Sequence, residues 1–466
     1  MIDRPAASSL LGQWQVAVRP ALLLAAITLH GCASYQPLPL PDHDNLAPAL
    51  DAIRIDRNTM DLAAAQQHPF DPADGLDLWE TAMLAVANNP DLRAAHSRRG
   101  VAEAQVYAAH LFPDPQISAS LDHPTGNDAG LVNAYAYGLS YDIIPLLTRG
   151  TGIESASAAQ QQIVLDLLWQ EWQTIEQART LHVELVTLEQ KVALLEHMLD
   201  LYQQRYQHSS TALAKGDMTV EATGTDLTAL LDTATQLNQT RQARNNKQHD
   251  LAQLLGLLPQ ASLDLQVPPP AEPVSEQDIE AALQLLPQRR PDLLALSAGY
   301  SSQEASVHRA VLSQFPSLGL GVSRARDTSN VYTSGLSISL TLPLFSGNRG
   351  TIAIERATRE QLHAECQARL DQSQIDVMRL FGVQSLITEQ QQLLEQRLPE
   401  LESMVVKARK AYQGGDISAL TFLNMQTTWV NKKLEQLDLA QQSWTTRLAL
   451  ETLLGKTNID ACVETD

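Results

Sequence analysis

The chain has 466 residues, of which 44% are hydrophobic and only 5% aromatic, and its formal net charge is −20. Phosphate binding requires a basic surface, so this charge argues against a nucleic-acid partner, although it serves equally well to keep a large surface soluble. The length allows two or three ordinary domains, and the abundance of Leu, Ala and Gln favours long helices over a compact α/β enzyme.

The first 31 residues are interpreted as a lipoprotein signal peptide. Basic residues precede an apolar run at 21–27, which has the length of a signal-peptide core and is too short to span a bilayer. The run leads to Cys32 and resembles the bacterial lipoprotein signal, in which this cysteine becomes the acylated first residue. His30 departs from the small residue usual there, so an ordinary cleaved signal is the alternative. Ala33, where an aspartate would retain such a protein at the inner membrane, implies the outer membrane.

The mature chain is predicted to contain two copies of one unit. Residues 32–74 carry six prolines and are expected to form an acylated, extended leader, because proline resists helix formation. The copies are placed at 75–257 and 278–456, with a proline-rich linker at 258–277 between them and a tail at 457–466.

The duplication is indicated by landmarks that recur in the same order. Four matches lie 201 positions apart: Pro90 and Pro291, Glu103 and Glu304, Leu111 and Leu312, Pro115 and Pro316. Two matches lie 199 positions apart: Gly216 and Gly415, Leu255 and Leu454. A separation that drifts by only two positions along the chain indicates an internal repeat.

Each copy is predicted to begin with a short helix, at about 76–88 and 278–288. A second helix follows and opens at Pro90 or Pro291, because proline is favoured in the first turn. Two segments of alternating apolar and small polar residues come next, and this period of two predicts strands with one apolar and one polar face. These strand segments are 117–121, 135–141, 318–322 and 336–342.

Very long helices are predicted after the strands, at about 153–213 and 350–413. In the first of them apolar residues recur with a mean spacing of about 3.4, close to the coiled-coil value. Pro399 is expected to kink the second. Each long helix ends at a Gly-Asp pair and returns as a shorter helix, at 219–256 or 418–455.

This order of elements behind a lipoprotein signal resembles the TolC-type outer-membrane efflux proteins over about 75–456. The resemblance implies a mainly helical fold with membrane strands. Three protomers would share a 12-stranded β-barrel in the outer membrane and continue it as a helical barrel through the periplasm. Four strands cannot close a barrel alone and open strand edges are not tolerated in lipid, so the interpretation requires a homotrimer.

The same resemblance implies function and partners. The protein would be a lipid-anchored passive duct of a tripartite efflux system, fed by an inner-membrane pump through a periplasmic adaptor. The hairpin tips, Gly216-Asp217 and Gly415-Asp416, would contact these partners and form the periplasmic entrance. A purely local role is the alternative, in which glycine ends one helix and aspartate caps the next.

Some family members narrow this entrance with a ring of aspartates just beyond the second tip. The matching positions here are Thr421 and Asn424, so an acidic ring is not expected at those two residues. Glu221 and Asp226 are nearby carboxylates that are candidates to take its place.

The two remaining cysteines would lie in the periplasm, where disulfides form. If the helix from 418 runs antiparallel to the helix before it, residue 455 lies level with about 376. Seven further residues of extended chain, at ~3.3 Å each, then bring Cys462 within reach of Cys366. A disulfide between them is predicted, with two free thiols as the alternative.

No catalytic or cofactor motif is present in the sequence: there is no P-loop, dinucleotide fingerprint, His-Glu-x-x-His or nucleophile elbow. His43 beside Asp42 and Asp44 is interpreted as solvated linker rather than as a metal site. We therefore predict neither enzyme activity nor a metal.

Two further functions are weighed against efflux. One is the exit duct of a type I protein-secretion system, and the other is a non-channel lipoprotein scaffold that spans the periplasm. The two-faced strands argue against the scaffold. The sequence does not determine the substrate, whether drug, metal ion, solvent or protein.

Overall fold

The computed structural model describes residues 35–53, 70–71, 74–125 and 130–455. The chain divides into two compact units, one ending at Asn45 and one beginning at Leu46, and all elements named below belong to the second. The predicted signal peptide, Cys32, Cys462 and the tail at 457–466 lie outside the described residues.

The helices and strands occur in one order, twice. The first series is α1 (Leu78–Asn88), α2 (Pro90–His110), β1 (Gln116–Asp122), β2 (Ala134–Asp142), α3 (Ile144–Lys215) and α4 (Val220–Leu254). The second series is α5 (Glu276–Arg289), α6 (Pro291–Leu312), β3 (Ser317–Arg326), β4 (Tyr332–Thr341), α7 (Arg349–Gly414) and α8 (Ala419–Leu453). The predicted order of helices and strands is confirmed.

The long helices set the scale of the second unit. α3 has 72 residues and is about 108 Å long at 1.5 Å per residue, and α7 has 66 residues. α3 starts earlier than predicted, because Pro145 occupies its first turn, where a missing N–H costs nothing. α7 continues through Pro399, and the bend expected there stays a prediction.

The four strands form one antiparallel sheet in the order β1-β2-β3-β4. Directly opposed residues share a face, so Ile117 lies beside Leu139, and Leu139 beside Val322. The apolar face is formed by Ile117, Leu121, Tyr135, Tyr137, Leu139, Tyr141, Leu318, Leu320, Val322, Leu336, Ile338 and Leu340. Arg324 and Arg326 lie on the same face, opposite Tyr137 and Tyr135. The opposite face carries Ser118, Ser120, Gly138, Ser140, Gly319, Gly321, Ser323, Ser337 and Ser339. The predicted two-faced strands are therefore confirmed.

Two edges of this sheet are open. Among the described residues, β1 and β4 each pair on one side only.

Among the helices of the described residues, none is both long enough and apolar enough to cross a membrane.

α3 is the central helix of the bundle and packs against α1, α2, α4, α6 and α8. The largest apolar cluster lies near its middle, where Leu181 and Leu185 contact Leu251 and Leu255 of the α4 end. Burying each such side chain stabilises the fold by about 1.5–3 kcal/mol, so these residues anchor the hairpin formed by α3 and α4.

The proline-rich segment between the two series is fixed to α7 and α8 by hydrogen bonds. Trp444 Nε1 donates to the Pro269 carbonyl at 2.9 Å, and Arg447 Nη1 donates to the Glu272 carbonyl at 2.8 Å. The Gln384 amide bonds both the N–H and the C=O of Val274, each at 2.9 Å. The linker is thus an ordered part of the packing rather than a loose connection.

A buried ion network lies next to this linker. Glu451 of α8 accepts from Arg179 of α3 at 3.0 Å and from Arg447 at 2.8 Å. The side chains of Arg179 and Glu451 are 5% and 8% exposed, so loss of either would leave an uncompensated buried charge. The network therefore fixes α8 along α3.

His182, three residues after Arg179 in α3, is fully buried. Its Nε2 lies 2.9 Å from the Gln266 carbonyl, and its Nδ1 lies 2.9 Å from Thr81 Oγ1. Burial disfavours the charged ring and lowers the pKa of His182 below its ordinary value of 6.5. The folded protein therefore disfavours the charged form of this side chain.

Because His182 binds a proton more weakly in the folded chain than in the unfolded chain, stability should fall as the pH drops below about 6.5. His182→Gln should remove this component, which is at most about 1.4 kcal/mol per pH unit. Thermal unfolding of the detergent-solubilised protein between pH 5 and pH 7.5 measures the slope. The exposed His308, changed to Gln, is the control and should keep the wild-type slope. An unchanged slope in His182→Gln would contradict the assignment.

Candidate functional site

The two hairpin tips end their long helices in the same way. Gly216 and Gly415 have φ values of 80° and 81°, a conformation that strains residues with a side chain. Asp217 N–H donates to the Ala212 carbonyl at 2.9 Å, and Asp416 N–H donates to the Ala411 carbonyl at 2.8 Å. These bonds satisfy the last carbonyls of α3 and α7, so the structure accounts for both glycines locally.

The aspartates of the tips do not cap the returning helices, and this part of the local prediction is wrong. Thr219 Oγ1 accepts from Ala222 N–H at 3.3 Å, and Ser418 Oγ accepts from Thr421 N–H at 3.1 Å. A cap must directly precede the first helical residue, and both aspartates lie two residues too early. Asp217 and Asp416 are exposed instead.

Two of the four candidate entrance residues lie on one groove. Glu221 of α4 and Asn424 of α8 line a groove of about 830 Å³ between these helices, above Tyr202 of α3. Its other polar lining residues are Thr225, Thr228, Asp232, Thr233, Gln236, Thr427, Thr428 and Asn431. Thr421 is exposed at the start of α8, where its hydroxyl lies 2.9 Å from Ser418 Oγ.

The fourth candidate, Asp226, does not face this groove as a free carboxylate. Its Oδ1 lies 2.8 Å from Arg205 Nε, and the side chains are 2% and 13% exposed. That approach does not follow a hydrogen-bond direction, so the pair interacts chiefly through charge. Because Arg205 of the same chain already balances the charge of Asp226, this carboxylate is not available to line an entrance.

Arg205 also joins the first hairpin to the second. Its guanidinium lies 5.4 Å from the ring centroid of Tyr412 and 5.6 Å from that of Phe422, and these two rings stack at 5.5 Å. Its Nη2 donates to the Ala419 carbonyl at 2.8 Å. Arg205 is therefore paired with a buried carboxylate of the first hairpin and lies over two aromatic rings of the second, so it connects the two hairpins near their tips. Sequence reasoning missed this residue, whose only signal is a single arginine inside an apolar stripe.

The two tips differ in charge. Near the first tip the exposed charged residues are Lys215, Asp217 and Glu221. Near the second they are Lys407, Arg409, Lys410 and Asp416. The first tip is therefore slightly acidic and the second is basic, although their backbones are alike.

The structure leaves the cysteine prediction untested. Cys366 is half-buried, and burial raises the pKa of its thiol, while Cys462 lies outside the described residues. Val377 packs with Leu450 and Leu454, which agrees with the antiparallel level used to derive the pairing. The disulfide stays a prediction.

Metal ligands do not converge within the part of the chain that the structure describes: no three His, Cys, Asp or Glu side chains are placed to hold an ion. His43 Nδ1 lies 2.6 Å from Asp42 Oδ1, and both side chains are exposed.

Comparison with known proteins agrees with this geometry. The family described as outer membrane efflux protein matches residues 282–456. The cation efflux system protein CusC of Escherichia coli O6:H1 is 24% identical over 412 residues, covering 80% of this chain and 84% of CusC. The probable outer membrane lipoprotein SilC of Salmonella typhimurium is 23% identical over 411 residues, with the same coverage. Residues 282–456 therefore resemble the outer membrane efflux protein family. The resemblance and the outer-membrane location predicted from sequence are confirmed.

Solved structures share the fold. The crystal structure of CusC has a TM-score of 0.67 and 20% identity, and covers 89% of this chain and 98% of its own. The Campylobacter jejuni CmeC outer membrane channel has a TM-score of 0.71 and 15% identity, with coverage of 91% and 95%. The predicted fold of long helices with a four-stranded sheet is thereby confirmed, and the trimeric barrel stays a prediction.

Removing the partner of Arg205 should destabilise the tips. Asp226→Asn leaves the guanidinium charge buried and unpaired, and breaking such a pair costs about 3–5 kcal/mol. The matched control is Arg241→Gln, which breaks a 2.7 Å pair with Glu196 between the same two helices where both side chains are about half exposed. That control should lose no more than about 1 kcal/mol. Denaturant unfolding measures both, and equal losses would show that the buried pair has no special role.

Proposed function

We propose that the protein is the outer-membrane duct of a tripartite efflux system, assembled from three identical chains. The observation that carries this proposal is the four-stranded sheet, which has one apolar face, one small polar face and two open edges. An open edge in lipid leaves backbone groups unpaired, so further strands must complete it. Further copies of the same chain supply those strands, and the apolar face then meets lipid while serine and glycine line water.

The helices extend the duct. α3 and α7 leave the strands directly and run for about 100 Å, enough to carry a channel across much of the periplasm. Substrate would move passively, since an inner-membrane pump supplies the energy and a periplasmic adaptor joins the two. This role requires no catalytic group and no cofactor.

The N-terminal anchor supports the same placement. Cys32 is proposed to carry the acyl chains, each buried methylene of which contributes ~0.8 kcal/mol to membrane binding. The similarity to a probable outer membrane lipoprotein agrees with that modification.

The hairpin tips are proposed to contact the adaptor and pump through Gly216-Asp217 and Gly415-Asp416. They are exposed, and the entrance between them would be narrowed by Glu221 and Asn424, which line one groove. Arg205 would hold the two tips of one chain together, because it pairs with Asp226 of the first hairpin and contacts the second.

The substrate is proposed to be a cation. CusC is named a cation efflux system protein, and a chain of net charge −20 concentrates cations near its surface. Neither a protein-secretion duct nor a non-channel scaffold receives comparable support, because the two-faced sheet argues against the scaffold and the relatives favour efflux.

A direct test is ion conductance of the purified trimer in planar bilayers. We expect cation-selective steps, and we expect Arg205→Ala to enlarge them by releasing the tips. Arg241→Gln, on the same helix pair, should behave as wild type. A folded trimer that conducts nothing even as Arg205→Ala would defeat the duct.

The substrate class can be tested by deleting the gene in its own host. Growth should become several-fold more sensitive to at least one of Cu²⁺, Ag⁺, Zn²⁺, Co²⁺ and Ni²⁺, and a plasmid copy should restore it. Sensitivity to a hydrophobic dye and to antibiotics should stay unchanged. Altered drug sensitivity with unaltered cation sensitivity would overturn the cation assignment and leave the duct in place.

A further inference from the structure

A cavity of about 490 Å³ lies between α3, α7 and α8, beside the proline-rich segment that joins the two series. Its volume is within the range of about 300–1,000 Å³ that is usual for small-ligand sites. Its floor is apolar and includes the buried side chains of Val183, Val186 and Leu439. Exposed Pro269 and Pro270 form part of its rim. The cavity has no part in the proposed duct.

The polar side chains around this cavity are mostly uncharged amides. Four glutamines from three helices line it: Gln190, Gln391, Gln436 and Gln441. The Gln391 amide donates to the Leu439 carbonyl at 3.2 Å. Among the described residues, the side chains of the other three have no hydrogen-bond partner, so their donors and acceptors are available to a ligand.

Thr187 of α3 adds an unsatisfied hydroxyl. It lines the same cavity and is only 6% exposed. Buried threonines such as Thr174 and Thr233 bond the carbonyl four residues earlier in their helices. Within the part of the chain that the structure describes, the Thr187 hydroxyl has no such partner. A buried hydroxyl without a partner is costly, so this group points to a ligand that completes its hydrogen bonds.

The charges around the cavity exclude several classes of ligand. The described residues that line it include no Lys, Arg or His, so the cavity offers no cation to an anionic ligand. The one carboxylate, that of Glu395, is too few ligands for a metal ion, and it is exposed at the rim. The cavity therefore suits an uncharged ligand that is rich in hydrogen-bonding groups and also has apolar faces.

Trp444 and the prolines supply ring surfaces for such a ligand. The indole Nε1 donates to the Pro269 carbonyl at 2.9 Å, which fixes the indole ring at the edge of the cavity. Sugars stack the C–H faces of their rings on aromatic and proline rings, while their hydroxyl and N-acetyl groups exchange hydrogen bonds with side-chain amides. An N-acetylated sugar combines both features, and its methyl group fits an apolar floor.

The depth of the cavity indicates which sugar is available. α3 leaves the sheet at Ile144 and reaches the cavity at residues 183–190, so the cavity lies about 60–70 Å from the sheet at 1.5 Å per residue. With the sheet in the outer membrane, this depth lies in the periplasm, where the cell-wall peptidoglycan is a polymer of N-acetylated sugars.

We propose that this cavity binds the N-acetylated glycan of the cell wall. The hydrogen-bonding groups are the amides of Gln190, Gln436 and Gln441 and the hydroxyl of Thr187, and the stacking surface is Trp444. The inference rests on the proposed function only for the position of the cavity in the periplasm. Binding there fixes the helical part of the protein to the wall that it passes through.

Titration calorimetry of the detergent-solubilised protein with the N-acetylglucosamine tetramer tests the site. Gln436→Leu with Gln441→Leu removes two amides at nearly constant volume, so affinity should fall at least about fivefold. Thr187→Val removes only the hydroxyl and should weaken binding by about two- to tenfold. The matched control is Gln442→Leu, because Gln442 is exposed beside Gln441 and does not line the cavity. It should bind as wild type.

Purified peptidoglycan tests the polymer itself. Wild-type protein and the Gln442→Leu control should sediment with it, and an excess of the tetramer should release them. The variant with Gln436→Leu and Gln441→Leu should stay in the supernatant.

Two results would overturn this inference. One is a wild-type protein that does not bind the tetramer, and the other is a cavity variant that binds it as well as the control does. Binding of benzyltrimethylammonium that is lost in Glu395→Gln, without binding of the tetramer, would assign the cavity to organic cations instead.

Conductance in planar bilayers, measured on the same samples, separates this inference from the proposed function. A conducting trimer that does not bind the tetramer overturns the glycan site and leaves the duct in place. A protein that binds the tetramer at these residues but does not conduct supports the site and overturns the duct.

Discussion

The constraint on which the rest of the structure depends is the pairing of backbone groups at the edges of a sheet. In lipid no water is available to satisfy an exposed N–H or C=O, so a four-stranded sheet with free edges at β1 and β4 cannot stand alone. Large apolar residues alternate with serine and glycine along the strands, so one face of the sheet suits lipid and the other suits water. The proposed assembly of several chains therefore depends first on the strands, before any contact between helices is considered.

In the helical part, long and regular apolar stripes do not by themselves determine the position of one helix along its neighbour. Buried charges oppose this: Glu451 is held between Arg179 and Arg447 near the middle of the bundle, and Asp226 is held by Arg205 near the tips. A shift of one turn would separate partners that are buried and cannot regain water. We regard these pairs as fixing the position of each helix along its neighbour more than as sources of net stability.

Features that depend on the local pattern of residues could be predicted from the sequence. The order of helices and strands follows from periodicity and from proline and glycine at their ends, as at Pro90 and Gly216. The prediction placed the start of α3 too late, although Pro145 fits the first turn of a helix. It also assigned the cap of the returning helix to an aspartate, whereas a cap must directly precede the first helical residue, as Thr219 does. Arg205 was missed because residues 226, 412 and 422 meet it only in the folded chain, as Trp444 meets Pro269.

The unlike charges of the two tips bear on the stoichiometry of assembly. A ring of three chains would present six tips, in which slightly acidic and basic ends alternate around the entrance. In a partner with six subunits, alternate subunits would then contact an acidic tip and a basic tip, so identical subunits would bind with unequal affinity. A partner with three subunits would span one tip of each kind, and its own contact surface would carry charges of both signs.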